Sequence, residues 1–350
     1  GHNASAFGYD NKALANETTV VGHQSNASGL NASAFGSKAT ASGESALALG
    51  TGANATADST VAIGNDSNAT GKSSVAVGES TNATGVFATA LGDSSTATGN
   101  RTIAISVDAK AKADESVAIG SASTSEGIRS IAVGANATAT NESATVIGAH
   151  STGDIRSTVI GAESEAHNHG FAGGYQAKAT GESSTAIGVR ANSTGLSTIA
   201  IGSDSVANNK ASTAIGQGSQ ADASYSVALG KAATATHGSS VALGTATTTK
   251  AAVAVTEATV GKLTYGGFAG TDATAVVSVG KEGDHTRQIV NMGAGEISAT
   301  STDAINGSQL YATNDVINNV ATTVTSVLGG TAKVDSKGNI TMTDIGGTGE

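Results

Sequence analysis

Glycine recurs at a fixed step of 14 residues through Gly8, Gly22, Gly36, Gly50, Gly64, Gly78 and Gly92. The series continues at Gly120, Gly134 and Gly148, with Ser106 standing in the frame where a glycine is due. Gly161 and Gly174 follow at steps of 13, and the step of 14 resumes through Gly188, Gly202, Gly216, Gly230 and Gly244. A period this short leaves no room for a helix in each repeat. It demands a unit that closes on itself every 14 residues, which is the signature of a solenoid.

The columns of the repeat alternate. The residue before the frame glycine is large and apolar (Leu49, Ile63, Val77, Leu91), and alanine precedes it in most frames. The third residue back is often β-branched, as in Val61, Val75 and Ile131, and the fourth is Ser, Thr or Ala. After the glycine, small residues flank a polar one, as in Ala53-Asn54-Ala55 and Ser67-Asn68-Ala69. A second glycine column stands seven residues on, at Gly29, Gly43, Gly71 and Gly85. Alternation with period two predicts strands. Two strands of about five residues and two tight turns fill each repeat, with φ > 0 expected at both glycine columns, because Gly and Asn tolerate it best. Parallel strands stack about 4.8 Å apart, so 18 such frames would make a rod of roughly 85 Å.

Composition agrees. Five Phe, five Tyr, two Met and no Trp cannot fill a conventional core. No Cys means no disulfide and no thiolate-bound metal. A net charge of −10 with 18 Lys and Arg argues against nucleic acid as a partner. No apolar run is long enough for a membrane helix.

The apolar strand has no polar face. One side covers the coil interior, so the other must be covered by something else, and a stripe this long exceeds what a monomer exposes. Obligate self-association follows. On volume grounds the Val/Ile columns are expected to point into the coil and the Ala column to line the subunit contact; the inverse assignment stays open.

The repeat S-x-A-[IVL]-G, as in Ser74–Gly78 and Ser116–Gly120, resembles the head of the YadA-like trimeric autotransporter adhesins of Gram-negative bacteria. Arg287-Gln288-Ile289-Val290-Asn291-Met292-Gly293-Ala294-Gly295 is similar to that family's neck entry. Ser301-Thr302-Asp303-Ala304-Ile305-Asn306-Gly307-Ser308-Gln309-Leu310-Tyr311 is similar to its neck core. Met292 and Gly293 depart from the commoner Val-Ala. The resemblance implies a mainly β fold: a left-handed parallel β-roll solenoid forming a homotrimer, then a neck and a short trimeric coiled coil. It also implies structural roles for Arg287, Gln288, Asn291, Asp303, Asn306, Gly307, Gln309 and Leu310 in the neck. Apolar residues at Leu310, Ile317, Val320, Val324 and Val327 follow heptad spacing, and Ile and Val at such positions favour more than two strands. The expected organisation is a head over 1–250, an apolar insert over 251–286, a neck over 287–314, a stalk segment over 315–328 and the start of a Gly-Gly-led β domain over 329–350.

No nucleophile motif, metal set or cofactor site stands out, and no enzymatic activity is expected. The resemblance implies a cell-surface adhesin that attaches to host extracellular matrix such as collagen, fibronectin or laminin, or to cells. Many weak contacts on three chains would act together. The implied location is the outer surface of the outer membrane, reached through a C-terminal β-barrel anchor that this chain lacks. Irregularities in the repeat give the candidate ligand contacts: Lys110 and Lys112 beside Ser106, and His167, His169 and Tyr175 in the short turns. Two alternatives carry weight. One is a structural or ice-binding solenoid, for which Thr96–Thr98, Thr138–Thr140 and Thr234–Thr236 form partial rows. The other is a phage-spike-like trimer that cleaves glycans, which would need paired carboxylates in one groove.

Overall fold

The structure, a computed structural model, describes residues 1–343. They divide into two units, 1–251 with 275–286, and 252–274 with 287 onward.

The first unit is a coil of parallel strands. Each turn has two halves of seven residues built alike. Thr60-Val61-Ala62 and Ser67-Asn68-Ala69 are the two triplets of one turn. In each, the first and third side chains are buried and the second points out. Four-residue corners follow, Ile63-Gly64-Asn65-Asp66 and Thr70-Gly71-Lys72-Ser73. The fourth residue of each corner is left-handed, with φ of 52° at Asp66 and 57° at Ser73. The next amide then reaches back across the corner, from Ser67 to the Gly64 carbonyl and from Ser74 to that of Gly71. Buried hydroxyls reinforce many corners: Ser67 Oγ donates to Gly64 O at 3.1 Å, and Thr60 Oγ1 to Ala57 O at 2.6 Å.

Two expectations need correction. Corners take eight of the 14 positions, so regular strands are three and two residues long in most turns, not five. The second glycine column is not left-handed; Ala57 and Asn141 stand in it without positive φ, and the left-handed residue lies two positions later. The frame glycines do need their identity, with φ of 129° at Gly120 and 132° at Gly134. A Cβ on Gly120 would stand 2.6 Å from the backbone of Gly134 in the next turn.

The turns stack in register, Val61↔Val75 and Asn68↔Asn82, each residue on its counterpart. One face is a 19-stranded parallel sheet, whose outward residues are mostly apolar. The opposite face is a ladder of two-residue strands with polar outward residues. Both run through the irregular turns. Ser106 causes no bulge, since Ile103↔Val117 and Ile105↔Ile119 pair normally. The steps of 13 also keep register, Thr145↔Thr158 and Thr158↔Phe171. Each loses its residue at the corner after the polar strand, where Ser157 bonds back to Asp154 and Gly170 to His167.

The interior is Ala, Ser and Thr. Ala48, Ala62 and Ala76 are fully buried, whereas Leu49 is 43% exposed. The expectation that Val and Ile fill the coil is therefore overturned, and the Ala column does not line a subunit contact. The gap between the sheets favours small side chains. Three valines enter it, Val20 opposite alanine, and Val146 and Val159 packed against Gly153. The end of the coil is closed by its own chain: Val277–Ser278 adds a final strand beside Val241–Leu243, and Thr248 donates to Gly280. This satisfies backbone groups that an open edge would leave unpaired.

The second unit holds the hairpin Glu257–Val260 with Leu263–Gly266, the helix Gly307–Leu328, and the pair Lys333–Val334 with Ile340–Thr341. The helix ends at Gly329, whose amide donates to Thr325 O. Residues 344–350, the end of the expected β domain, lie outside the described residues.

Candidate functional site

Because the two halves of a turn share one backbone plan and one kind of interior, they differ chiefly in what points outward. On the polar half the triplet centres are mostly Asn, Thr, Lys or Glu. Asn54, Asn68 and Asn82 form an amide ladder with successive bonds of 2.9 Å. On the other half the same positions carry Val61, Val75, Ile103 and Val117 in some turns and Thr89, Thr145, Thr158 and Thr185 in others, while the first corner residues are apolar in nearly every turn, as at Ile63 and Ile119. They are partly or largely exposed. Nothing inside the coil requires them, because the polar half folds the same way without them.

The charged residues sort along the corners and the polar face. Arg101 pairs with Glu115 one turn on, Lys112 with Glu126 (both 2.5 Å) and Arg129 with Glu142 at 2.6 Å. Lys110 points out from the polar strand between Thr96 and Thr124. His167 Nε2 lies 2.8 Å from Glu165 Oε1. His169 is the left-handed residue of its shortened corner, φ 63°. Tyr175 sits at the other corner of the coil, where its hydroxyl and the Gln176 amide both bond Glu163. The five ligand candidates are thus spread over several turns, and only His167 and Tyr175 have partners in the same short stretch. Counting frames on either side of the 13-residue steps would have aligned Glu163, Gln176, Arg190 and Asp204 as one column, a grouping absent from the candidate set.

Arg190 makes two bonds to Asp204, 2.7 and 2.9 Å. That hydrogen-bonded pairing holds the Asp204 carboxyl below its usual range. The Glu163 carboxylate holds the Tyr175 phenol above its ordinary value. Thr124, Thr138 and Thr152 stack in one column but are bounded by Lys110 and Glu165. Such a short threonine row makes a poor ice-binding face.

Before the helix, the motif residues converge. Asn306 is the N-cap, with a capping box to Gln309. Gln309 also binds both backbone groups of Gly295, accepting at 3.0 Å and donating at 2.7 Å. Asn306 Nδ2 donates to the Met292 carbonyl at 3.2 Å, and Asp303 accepts from Glu296 N at 3.0 Å. The bond uses the Met292 carbonyl, a group that any residue at that position would offer. Asn291 turns the chain with φ 60°, and Gly307 opens the helix. Arg287 and Gln288 lie on irregular backbone, and Leu310 is 52% exposed.

The YadA head domain repeat matches this chain in a succession of segments from 1–25 to 221–247, together more than half of it. The chain belongs to the YadA-like family of trimeric autotransporter adhesins. The family's coiled stalk matches residues 288–333, the segment that contains the Asn306–Gln309 clasp. Autotransporter adhesin BtaE of Brucella suis biovar 1 (strain 1330) is 48% identical over 73 residues, 21% of this chain and 10% of that protein. Trimeric autotransporter adhesin AtaA of Acinetobacter sp. (strain Tol 5) is 50% identical over 62 residues, 17% of this chain and 2% of that protein. The chain thus spans a small part of these relatives. Among solved structures, the C-terminal YadA-like domain of a Burkholderia pseudomallei protein matches at 42% identity and TM-score 0.29, covering 31% of this chain and 50% of that one. The collagen-binding domain of the Yersinia adhesin YadA matches at 26% identity and TM-score 0.22, covering 62% and 84%.

Proposed function

We propose that the chain is part of the passenger of a cell-surface adhesin and works as a homotrimer, its apolar outward columns turned to two sister chains. The observation that carries this is the difference between the halves of each turn. Halves built alike carry a large apolar first corner residue on one side (Leu49, Ile63, Val77, Leu91) and a polar one on the other (Thr56, Thr70, Thr84, Lys112), so the apolar columns serve a contact outside the coil. Burial of such columns contributes about 25 cal/mol per Å², in addition to the burial of the Ala, Ser and Thr interior. In this reading residues 287–314 form the neck that passes the head to a stalk helix, and an anchor elsewhere in the protein holds it in the outer membrane.

The polar face and corners are left to meet a ligand. Family membership suggests host extracellular matrix, with collagen, fibronectin or laminin as the class to test, and a binding role in place of a catalytic one. Solid-phase binding of the whole chain to these three proteins tests the reading. Saturable binding to at least one supports it. Binding to none, from a chain shown to be trimeric by sedimentation, overturns the matrix reading, and a monomer in solution overturns the trimer.

A further inference from the structure

A hollow of about 470 Å³ opens on the polar side of the coil, lined by Glu163, Gln176, Lys178, Arg190, Ala191 and Asn192. Lys178 and Asn192 belong to the polar ladder, whereas the apolar columns lie on the other sheet. Its groups are held in place by one another. Gln176 Nε2 donates to Glu163 at 2.7 Å, and Tyr175 OH reaches the same carboxylate at 3.3 Å. Arg190 is fixed through Nε and Nη2 on Asp204, which leaves its Nη1 hydrogens unspent.

Lys178 differs from Lys112, Arg101 and Arg129, which are each neutralised by a carboxylate about one turn on. In the ladder Lys178 lies beside Glu165, but Glu165 Oε1 is taken by His167 at 2.8 Å. Among the described residues the Lys178 ammonium has no ion-pair partner. The hollow thus combines a free ammonium, a guanidinium pre-set by its partner, the Glu163 carboxylate held by Gln176 and Tyr175, two side-chain amides and an exposed aromatic ring at its edge. A planar guanidinium and an ammonium suit a carboxylate, and amides suit hydroxyls that both donate and accept.

We propose that this hollow binds a carboxylate-bearing saccharide, with Lys178 and Arg190 Nη1 on the acid, Gln176 and Asn192 on ring hydroxyls, and Tyr175 against a sugar face. The site does not depend on attachment to matrix proteins. Its test is calorimetric titration of the whole chain with hyaluronan hexasaccharide, whose acid lies within a chain, and with 3′-sialyllactose, whose acid is terminal. Lactose is the neutral control. One acidic probe should bind, roughly tenfold more weakly in Lys178→Gln and also more weakly in Tyr175→Ala, with affinity falling as salt rises. Lys231→Gln should bind as the parent does. Both hollow variants should keep the parent's mass and unfolding midpoint, which separates a lost contact from a lost fold. Which acidic probe binds identifies the source of the acid. Absence of binding by both acidic probes, equal affinity for lactose, or unchanged binding by a folded Lys178→Gln would overturn the proposal.

Discussion

Gly153 faces Val146 across the coil, and a Cβ added to Gly153 would stand 2.5 Å from the valine Cγ2. This is the reverse of the usual pairing of two small residues. At this turn size gained on one sheet is given up on the other. Gly153→Ala should destabilise the protein by about 1–3 kcal/mol through overpacking. Adding Val146→Ala should recover most of the loss. Thermal unfolding of both single variants and the double variant checks the coupling, and additive effects would refute it.

Ser106 occupies a frame position with φ 104°, where its neighbours in the column are glycines. A serine held there is strained by about 1 kcal/mol or more. Ser106→Gly should therefore raise the unfolding midpoint. Gly120→Ala, in the next frame, should lower it, because the added Cβ meets the Gly134 backbone at 2.6 Å.

The apolar columns can be tested against the polar ones. Val77→Asp combined with Ile119→Asp places charges on the outward face of the apolar sheet. Sedimentation should show loss of the trimer or of the fold, since a buried unpaired charge costs several kcal/mol. Thr124→Asp, on the opposite face, should leave the mass unchanged.

Gln309 joins the helix start to Gly295 through two bonds and closes the capping box. Gln309→Ala should cost about 1–2 kcal/mol locally. Hydrogen exchange should speed up at Gly295 and in the first helical turn, with the coil unaffected.

The Arg190 side chain depresses the Asp204 carboxyl from its ordinary value of 3.8. A lowered folded-state value means the pairing is intact above the ordinary carboxylate range and is lost only as pH falls through the depressed midpoint. An NMR titration should place Asp204 below 3.8, and Arg190→Gln should return it toward that value.

Much of the candidate neck could be read in the sequence because its bonds are local or span a single motif: Asn306 and Gln309 are three residues apart, and both reach back to 292–295. The cluster around Glu163 was not legible in the same way. Glu163, Gln176 and Arg190 come from separate turns; each lies two residues after a frame glycine, but a step of 13 separates Glu163 from Gln176, and its missing residue could have fallen at either corner.

The sequence by itself determined the period, the strands, the stacking in register and the need for a cover over one apolar face. Alternation says that Ala62 and Ile63 point opposite ways; it does not say which way is in. Tertiary structure decided that. Nearly every half-turn closes through a four-residue corner with a left-handed fourth residue, so both sheets present their first and third triplet residues to a gap filled mainly by Ala, Ser and Thr. Valine and isoleucine are left outside, where the proposed sister chains would bury them.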